Sequence, residues 1–453
     1  MTTPAPPPSP SPTEAQTTTV AGLPEPDLLV AWLVDQRWYA TKGLPAEPAG
    51  SLVVTLGDDP PLHLVIAGVR VGDEVDAYQL LVGGDPATGL DALDDPLATR
   101  ALFDRFAEGH VAQGGPATVA FHWVGDQPAP TGDTRRLGGE QSNTSIVVGD
   151  EAIVKVLRRL HAGESIEVEM LRFLTERHFP YVPALAGWYD LDLDGDTFTL
   201  GVAQAFVADG RDGWGWVLDG LADDPGGLLG PIRTLGRVVA ELHRVLASAP
   251  DVAGFAPQPA TPASLGSVAE RIERDARRFV GGTADGEPDA DAVVHLAECL
   301  AAKAVGGKLI RHHGDLHLGQ TLVTPRGWAI LDFEGEPARP LRHRRSVQSP
   351  LRDVAGLLRS LAYAVATYER ATGDAAPGWE PAARAALLDG YLAVADPAVL
   401  PGDPVTTHHA IALFELEKVV YELGYEQGNR PDWVDIPTAG LRRLLDRGRG
   451  AAA

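Results

Sequence analysis

Two short motifs in the second half of the chain restrict its fold more than any other feature. The segment His-Gly-Asp-Leu-His-Leu-Gly-Gln spans residues 313–320, and Asp-Phe-Glu-Gly-Glu begins at Asp332. Between them, the apolar run that starts at Trp328 predicts a buried strand that delivers Asp332 at its end. Two loops with acidic side chains would therefore flank one hairpin, and Gly314 removes a Cβ atom beside the first acid.

The side chains of these loops suit the transfer of a phosphoryl group. A hydroxyl nucleophile needs an acceptor for its proton, and Asp315 is the candidate catalytic base. Mg²⁺ on a nucleotide needs hard oxygen ligands, which the Gln320 amide and the Asp332 carboxylate offer. A His-Gly-Asp triplet also occurs in ordinary turns, and an Asp at a strand end is often only a cap. The spacing of the two motifs around an apolar strand favours a kinase catalytic loop followed by its Asp-Phe-Gly strand.

A lysine inside a hydrophobic strand is the next feature that needs explanation. Lys155 lies in the apolar run 152–157, where a charge is costly unless it is paired. In the following segment, 165–174, the apolar positions define a helical face with Glu169 at its edge and Glu167 pointing elsewhere. We therefore expect a Lys155–Glu169 ion pair like the one that positions the nucleotide phosphates in kinases. The alternative is a surface lysine on an edge strand.

Further parts of a nucleotide site are predicted on either side of this lysine. The small-residue turn at 138–145 would offer backbone N–H groups to phosphates. It lacks the Gly-x-Gly-x-x-Gly of protein kinases, so a plain hairpin is the alternative. Residues 197–207 are interpreted as the last strand of this lobe, running into a hinge whose backbone would bind adenine. The nucleotide-binding candidates in these two segments are Ser142, Asn143, Thr144, Gln204, Phe206 and Val207.

The motifs resemble those of the aminoglycoside phosphotransferase-like kinases, in which a metal-binding amide follows His-Gly-Asp. Within that group, residues 313–320 and the run from Asp332 are similar to the maltokinase branch. The resemblance implies an α+β, bilobal protein-kinase-like fold with an extra N-terminal α+β cap, and ATP and Mg²⁺ as cofactors. Protein kinases carry Asn at the position of Gln320 and Gly at that of Glu334, which speaks against a protein substrate.

The chain divides into four predicted parts. Residues 1–24 are rich in Pro, Ser and Thr with little apolar bulk, so a disordered tail is expected. Residues 25–108 would form the N-terminal cap from a helix and alternating strands. Residues 109–207 would form the nucleotide-binding lobe, and residues 208–453 a mainly helical lobe for catalysis and sugar binding.

Two polar residues in predicted helices are assigned supporting roles. Asp353 lies in the first turn of a helix, and the resemblance to kinases implies that it holds the backbone of the catalytic loop. Its alternative is a simple acid at a helix N-terminus. His243 lies on an amphipathic helix and is interpreted as a core or capping residue.

The acceptor sugar is expected near the end of a late helix, because the resembling family binds it between the catalytic Asp and the C-terminal helices. Gly, Asn and Pro within 428–431 must end this helix. Glu426, Gln427, Asp432 and Trp433 would then cluster there as substrate-binding residues. Trp433 offers a face to a pyranose ring, and Gln427 with Asp432 offers acceptors to an ammonium or hydroxyls. The pattern Gln, four residues, Asp resembles actinobacterial glucosamine kinases.

Composition narrows the partners. A net charge of −24 disfavours nucleic acid and tolerates a cationic small substrate. Cys299 is the only cysteine, which excludes an intrachain disulfide. The sequence contains no recognisable signal and no stretch of the length and apolarity of a membrane helix. We expect a cytoplasmic monomer or homodimer whose partners are ATP and a small sugar or amino sugar.

Three functions are compatible with these motifs. The first is an ATP-dependent sugar kinase that makes glucosamine 6-phosphate, with a maltokinase that makes maltose 1-phosphate as its alternative. The second is an aminoglycoside phosphotransferase, which the cap and the maltokinase-like loop disfavour. The third is a non-catalytic pseudokinase, which is disfavoured because Asp315, Gln320, Asp332, Lys155 and Glu169 are all present.

Overall fold

The computed structural model describes residues 25–83, 90–125, 128–138, 142–281, 288–337 and 339–450. The predicted tail at 1–24 and residues 139–141 of the predicted phosphate turn lie outside this part of the chain. The chain separates into two compact units. The first contains the residues up to 176 together with 183–208, and the second contains 177–182 and the residues from 209 onward.

The first unit combines two antiparallel sheets with three helices. One sheet has three strands in the order β1-β2-β3, and the other has seven in the order β4-β5-β9-β10-β8-β7-β6. In chain order its elements are α1 (Pro26–Val34), β1 (Glu47–Asp58), β2 (Pro61–Val71), β3 (Glu74–Gly83), α2 (Pro96–Glu108), β4 (Val111–Gly114), β5 (Ala117–Trp123), β6 (Thr134–Arg136), β7 (Asn143–Val148), β8 (Ala152–Leu157), α3 (Ile166–Glu176), β9 (Leu185–Leu193) and β10 (Asp196–Ala205).

One hydrophobic core joins the predicted cap to the predicted nucleotide-binding lobe. It takes Leu52 and Leu64 from the small sheet and Val154 and Leu200 from the large sheet. Helix α2, between the two sheets in sequence, adds Phe106 to the same core. Strand β8 alternates buried and half-buried positions, so Lys155 lies on its less buried face. The predicted boundary between residues 108 and 109 therefore runs through one continuous core.

The second unit is mainly helical, with a short three-stranded sheet whose hairpin lies between the two predicted catalytic motifs and a separate pair of short strands. Its elements are β11 (Arg211–Asp212), α4 (Gly213–Asp223), α5 (Leu229–Leu246), β12 (Gln258–Pro259), α6 (Pro262–Phe279), α7 (Ala290–Lys303), β13 (Lys308–Leu309), β14 (Thr321–Thr324), β15 (Gly327–Ile330), α8 (Leu341–Arg344), α9 (Leu351–Thr372), α10 (Trp379–Leu392), α11 (Pro404–Asn429) and α12 (Asp435–Gly450).

One hairpin and one helix of this unit position the site. Strands β14 and β15 form the predicted hairpin, in which Thr321 pairs with Ile330. Helix α11 is 26 residues long and is capped by the Asp403 side chain at its start. It ends at Asn429, within the segment predicted to end it. None of the described helices combines the length and hydropathy that crossing a membrane requires.

Candidate active site

A buried carboxylate holds the backbone of the predicted catalytic loop. Asp353, in the first turn of α9, accepts hydrogen bonds from the N–H groups of His313 (2.8 Å) and Gly314 (2.9 Å). The Nε2 atom of His243 lies 3.0 Å from the same carboxylate. Burial alone would raise the pKa of Asp353, but the charge of His312 and the bond to His243 outweigh it and hold this pKa below its usual value. The supporting roles predicted for Asp353 and His243 are confirmed.

His313 connects the two motifs. Its Nε2 lies 2.7 Å from the carbonyl oxygen of Leu331, and its Nδ1 accepts the N–H of Asp315 at 3.3 Å. These contacts assign the ring proton to Nε2. The ring also packs against Phe333, with 4.8 Å between ring centroids. One side chain therefore fixes the Asp315 loop to the strand that leads to Asp332.

Lys418 lies against the candidate base. Its Nζ is 3.2 Å from Oδ1 of Asp315 and 2.5 Å from Oε1 of Glu336, the last acid of the second motif. Burial alone would lower the pKa of Lys418, but Glu336 and Asp315 outweigh it and raise this pKa above its ordinary value. The lysine therefore stays protonated beside Asp315, whose side chain is 21% exposed. Its contact occupies Oδ1 and leaves Oδ2 for a substrate proton.

A chain of opposite charges anchors Lys418 in turn. Glu336 also contacts Arg339 at 2.9 Å. Glu417 bonds Arg352 at 2.7 Å and also lies against Arg339. Burial would raise the pKa of Glu336, but Lys418 and the neighbouring arginines outweigh it and lower this pKa to about 2. Glu336 is thus ionised at neutral pH, which keeps the cation of Lys418 in place. Sequence reasoning missed this network; the scarcity of lysine, five in the chain, was the signal that could have drawn attention to Lys418.

The two predicted metal ligands lie side by side. The ladder of the hairpin continues to them, because the N–H of Leu331 donates to the carbonyl of Gln320 at 2.9 Å. The Nε2 of Gln320 then donates to Oδ2 of Asp332 at 2.9 Å, which leaves the amide oxygen of Gln320 available as a ligand. Asp332 has a φ of +62°, a left-handed conformation that is uncommon for a residue other than Gly and clusters at functional sites. A carboxylate and an amide oxygen are donors that fit Mg²⁺.

The partner of Lys155 is Glu167, so the predicted choice of Glu169 is wrong. The Nζ of Lys155 lies 3.1 Å from Oε2 of Glu167, whose side chain is only 2% exposed. The buried face of α3 includes Leu171 and Leu174, which follow Glu167 at four and seven residues and therefore place it on that face. Glu169 is only half-buried. The prediction rested on a smaller set of apolar positions in α3, and this set did not include Leu171.

Strand β7 begins inside the segment that was predicted as a phosphate turn. Asn143 and Thr144 are the first residues of β7, paired with β8, so they belong to the sheet and not to the turn. The hydroxyl of Thr144 also accepts a 2.8 Å hydrogen bond from the buried Arg158. Ser142 is exposed at the entrance to the strand and is the described residue of this segment that fits the predicted role.

The predicted hinge has only part of its backbone open to a nucleotide. Gln204 lies within β10, paired with both neighbouring strands. The N–H of Ala205 donates to Ala184 at 2.9 Å, and that of Phe206 donates to Glu151 at 2.8 Å. Val207 is therefore the predicted hinge residue whose N–H is the best candidate donor to adenine.

The predicted acceptor residues lie at the end of α11 and in the short 3₁₀ turn that follows it. Glu426 is two turns beyond Lys418, about 12 Å along the helix axis. Gln427 is exposed and donates through Nε2 to the carbonyl of Phe279 at 2.9 Å, which leaves its amide oxygen free to accept. Asp432 is exposed, and no hydrogen bond between described residues uses its carboxylate.

Glu426 and Trp433 are both engaged by Arg430. Glu426 is buried, accepts two bonds from Arg430 at 2.6 and 2.9 Å, and accepts one from Tyr363 at 3.1 Å. The guanidinium groups of Arg430 and Arg370 lie 4.9 and 5.1 Å from the centre of the Trp433 ring. The pairing with Arg430 explains a carboxylate that the helix dipole disfavours at this end. Glu426 therefore holds Arg430 against Trp433.

The candidate base Asp315 lies in the loop before a hairpin that is flanked by the Gln320 amide and the Asp332 carboxylate, and a strand lysine pairs with a helix glutamate. This arrangement is that of a kinase-like phosphotransferase. The model of the phosphotransferase enzyme family, APH, matches residues 133–400. The chain belongs to this family.

Individual relatives support the same assignment to a phosphotransferase family. A glucosamine kinase of Mycolicibacterium smegmatis is 30% identical over 345 residues, 69% of this chain and 80% of that protein. A glucosamine kinase of Streptacidiphilus jiangxiensis is 29% identical over 332 residues, 70% of this chain and 74% of that protein. A solved glucosamine kinase in complex with glucosamine, ADP and inorganic phosphate matches with a TM-score of 0.67 at 23% identity, covering 91% of this chain and 96% of that one. The predicted kinase-like α+β fold is confirmed.

Proposed function

We propose that this protein transfers the γ-phosphoryl group of ATP to the 6-hydroxyl of glucosamine. The observation that carries the proposal is the 30% identity to a glucosamine kinase over 69% of the chain. The arrangement around Asp315 supports the proposal, because hydrogen bonds hold the loop backbone, the neighbouring cation and the predicted metal ligands in place.

Asp315 is the proposed base. As the sugar oxygen bonds to the γ-phosphorus, the bond from that phosphorus to the leaving oxygen of ADP breaks. The hydroxyl proton passes to Asp315, and Oδ2 is the proposed acceptor because Lys418 occupies Oδ1. The backbone bonds from Asp353 keep the loop fixed during this transfer.

Residues of several elements are proposed to bind the nucleotide and its Mg²⁺. Gln320 and Asp332 would hold Mg²⁺, which supplies positive charge to the phosphates. Lys155, oriented by Glu167, would bind the α- and β-phosphates. Ser142 would donate to a phosphate, and the N–H of Val207 to adenine.

The charge of Lys418 favours the 6-hydroxyl as acceptor. An ammonium next to this lysine would be repelled, since both groups are positive. Hydroxyls 1 and 3 of glucosamine adjoin the carbon that carries the ammonium, whereas hydroxyl 6 lies at the far side of the ring. Placing hydroxyl 6 at Asp315 therefore directs the ammonium away from Lys418. Gln427, in the last turn of α11, and Asp432, just beyond its end, are the proposed acceptors for it, with Trp433 against the ring.

A substrate panel tests the proposal. Purified protein with ATP and Mg²⁺ is assayed against glucosamine, glucose, maltose and an aminoglycoside, and NMR identifies the phosphorylated position. We expect glucosamine to have the highest kcat/KM and glucosamine 6-phosphate to be its product. A higher kcat/KM with maltose would replace the proposal with the maltokinase alternative, and one with the aminoglycoside would assign an antibiotic-modifying activity.

Asp432→Asn is expected to reduce the preference for glucosamine over glucose. A carboxylate bonds an ammonium more strongly than a hydroxyl, by roughly 1.5 to 3 kcal/mol, which corresponds to a preference of about tenfold to a hundredfold. The ratio of kcat/KM for the two sugars and the melting temperature are measured together. Asp446→Asn, an equal charge change at an exposed position of α12, is the control. A sugar ratio unchanged in both Asp432→Asn and Gln427→Ala would remove these residues from the sugar site.

Lys418→Met is expected to lower kcat by about tenfold to a hundredfold and to lower the melting temperature. Its removal leaves the Glu336 carboxylate buried beside Asp315 with Arg339 as its remaining contact, and a buried charge that loses a partner is costly. Lys418→Arg, which keeps the charge, should retain more activity than Lys418→Met. Lys308→Met serves as the control because that lysine is exposed. Wild-type kcat in Lys418→Met would show that the cation has no part in the reaction.

A further inference from the structure

A large apolar cavity lies among four helices of the second unit. Few residues of these helices take part in the proposed mechanism. It measures about 710 Å³ and lies between α7, α10, α11 and α12. That volume is in the range of small-molecule sites, roughly 300 to 1,000 Å³. Its apolar walls are formed mainly by Leu296, Leu300, Leu388, Ile411, Leu444 and Leu445. Neither the catalytic loop nor the predicted sugar-binding residues line it.

The charged side chains that line the cavity carry an excess of positive charge. They are three cations, Lys303, Arg384 and Arg447, and one carboxylate, Glu415. Arg384 forms two bonds of 2.8 Å with Glu415 and so neutralises it. Neither Lys303 nor Arg447 makes an ion pair with another described residue, and both are exposed. This local excess of positive charge contrasts with the net charge of −24 of the whole chain.

We propose that this cavity binds an amphipathic anion, namely a straight-chain acyl carboxylate. Its hydrocarbon chain would lie among the leucines, where burial of methylene groups drives binding. Its carboxylate would pair with Lys303 or Arg447 at the cationic part of the lining. The leucine walls exclude a wholly polar ligand, and the uncompensated cations favour an anion over a neutral or cationic amphiphile.

Cys299 provides a reporter inside the cavity. It is half-buried in the lining and is the only cysteine of the chain, so thiol labelling reports on this site alone. The full-length protein is treated with a maleimide in the presence of dodecanoate, dodecanol or dodecyltrimethylammonium, each below its micelle concentration. We expect dodecanoate to slow labelling at least tenfold more effectively than either of the other two. The melting temperature should rise with dodecanoate, since a ligand of the folded state stabilises it.

Two variants separate the parts of the proposal. Lys303→Gln with Arg447→Gln, both at exposed positions, should weaken protection by dodecanoate at least tenfold with little change in the melting temperature of the ligand-free protein. Ala385→Trp, at an exposed position of the lining, should block protection by filling the cavity. Equal protection by dodecanol or by the cationic amphiphile would overturn the anion assignment. The absence of protection by dodecanoate, or protection that survives Ala385→Trp, would overturn the site.

Discussion

Asp315→Asn is expected to lower kcat with glucosamine by about a hundredfold to ten-thousandfold, the range over which a positioned base contributes to proton transfer. The amide of Asn cannot take the hydroxyl proton, although its oxygen can still accept the bond from Lys418. The fold and the binding of ATP should therefore be retained. Steady-state kinetics give kcat, and calorimetry gives the dissociation constant for ATP with Mg²⁺.

The control for Asp315→Asn is Asp219→Asn. Asp219 is an exposed residue of α4 in a surface ion pair with Arg211, and such pairs contribute little to stability. A kcat within tenfold of wild type for Asp315→Asn would rule out its role as base. A large loss of ATP affinity would instead point to a role in nucleotide binding.

Apart from Asp353, whose role followed from the resemblance to kinases, the part of the site that the sequence predicted is the part whose residues are close in the chain. Gln320 and Asp332 flank one hairpin and Asp315 lies in the loop before it, so the spacing alone brings the two predicted metal ligands together. The same holds for the end of α11, where Gly, Asn and Pro limit the helix whatever packs against it. Local backbone chemistry decides these features, and a sequence contains it.

Long-range packing decides the features that the sequence did not predict. Lys418 reaches Asp315 across 103 positions, and nothing in the residues around either one specifies that approach. Glu167 and Glu169 lie on different sides of α3. Which of them is buried depends on the full width of the buried face of the helix. Thr144 belongs to the sheet because it pairs with Val156 of β8, and the buried Arg158 also uses its hydroxyl. Each outcome depends on a partner from another element.

The contacts of Lys418 also link the second motif to the base. Glu336 is the last acid of Asp-Phe-Glu-Gly-Glu, and it holds the cation that contacts Asp315. His313 performs the complementary task from the first motif by bonding the carbonyl of Leu331. The length of the second motif beyond Phe333 therefore has a physical reason, because its final glutamate holds a charge beside the proposed base.

Lys155→Met is expected to lower kcat/KM for ATP by about a hundredfold to ten-thousandfold. The lysine is proposed to make two charge-assisted hydrogen bonds to the α- and β-phosphates, and each such bond contributes roughly 1.5 to 3 kcal/mol. Methionine keeps the length and apolar stem of the side chain, so β8 should remain intact. Initial rates at varied ATP concentration measure the effect.

The two glutamates in the first turn of α3, Glu167 and Glu169, provide the matched comparison for that prediction. Glu167→Gln removes the charge that holds Lys155 from a position only 2% exposed, and we expect it to lower kcat/KM for ATP by about tenfold to a hundredfold. Glu169→Gln makes the same chemical change two residues away on the less buried side of the helix, where an effect below about threefold is expected. If Glu169→Gln were the more damaging of the two, the original pairing of Lys155 with Glu169 would describe the active enzyme. Unchanged ATP kinetics in Lys155→Met would remove the whole pair from nucleotide binding.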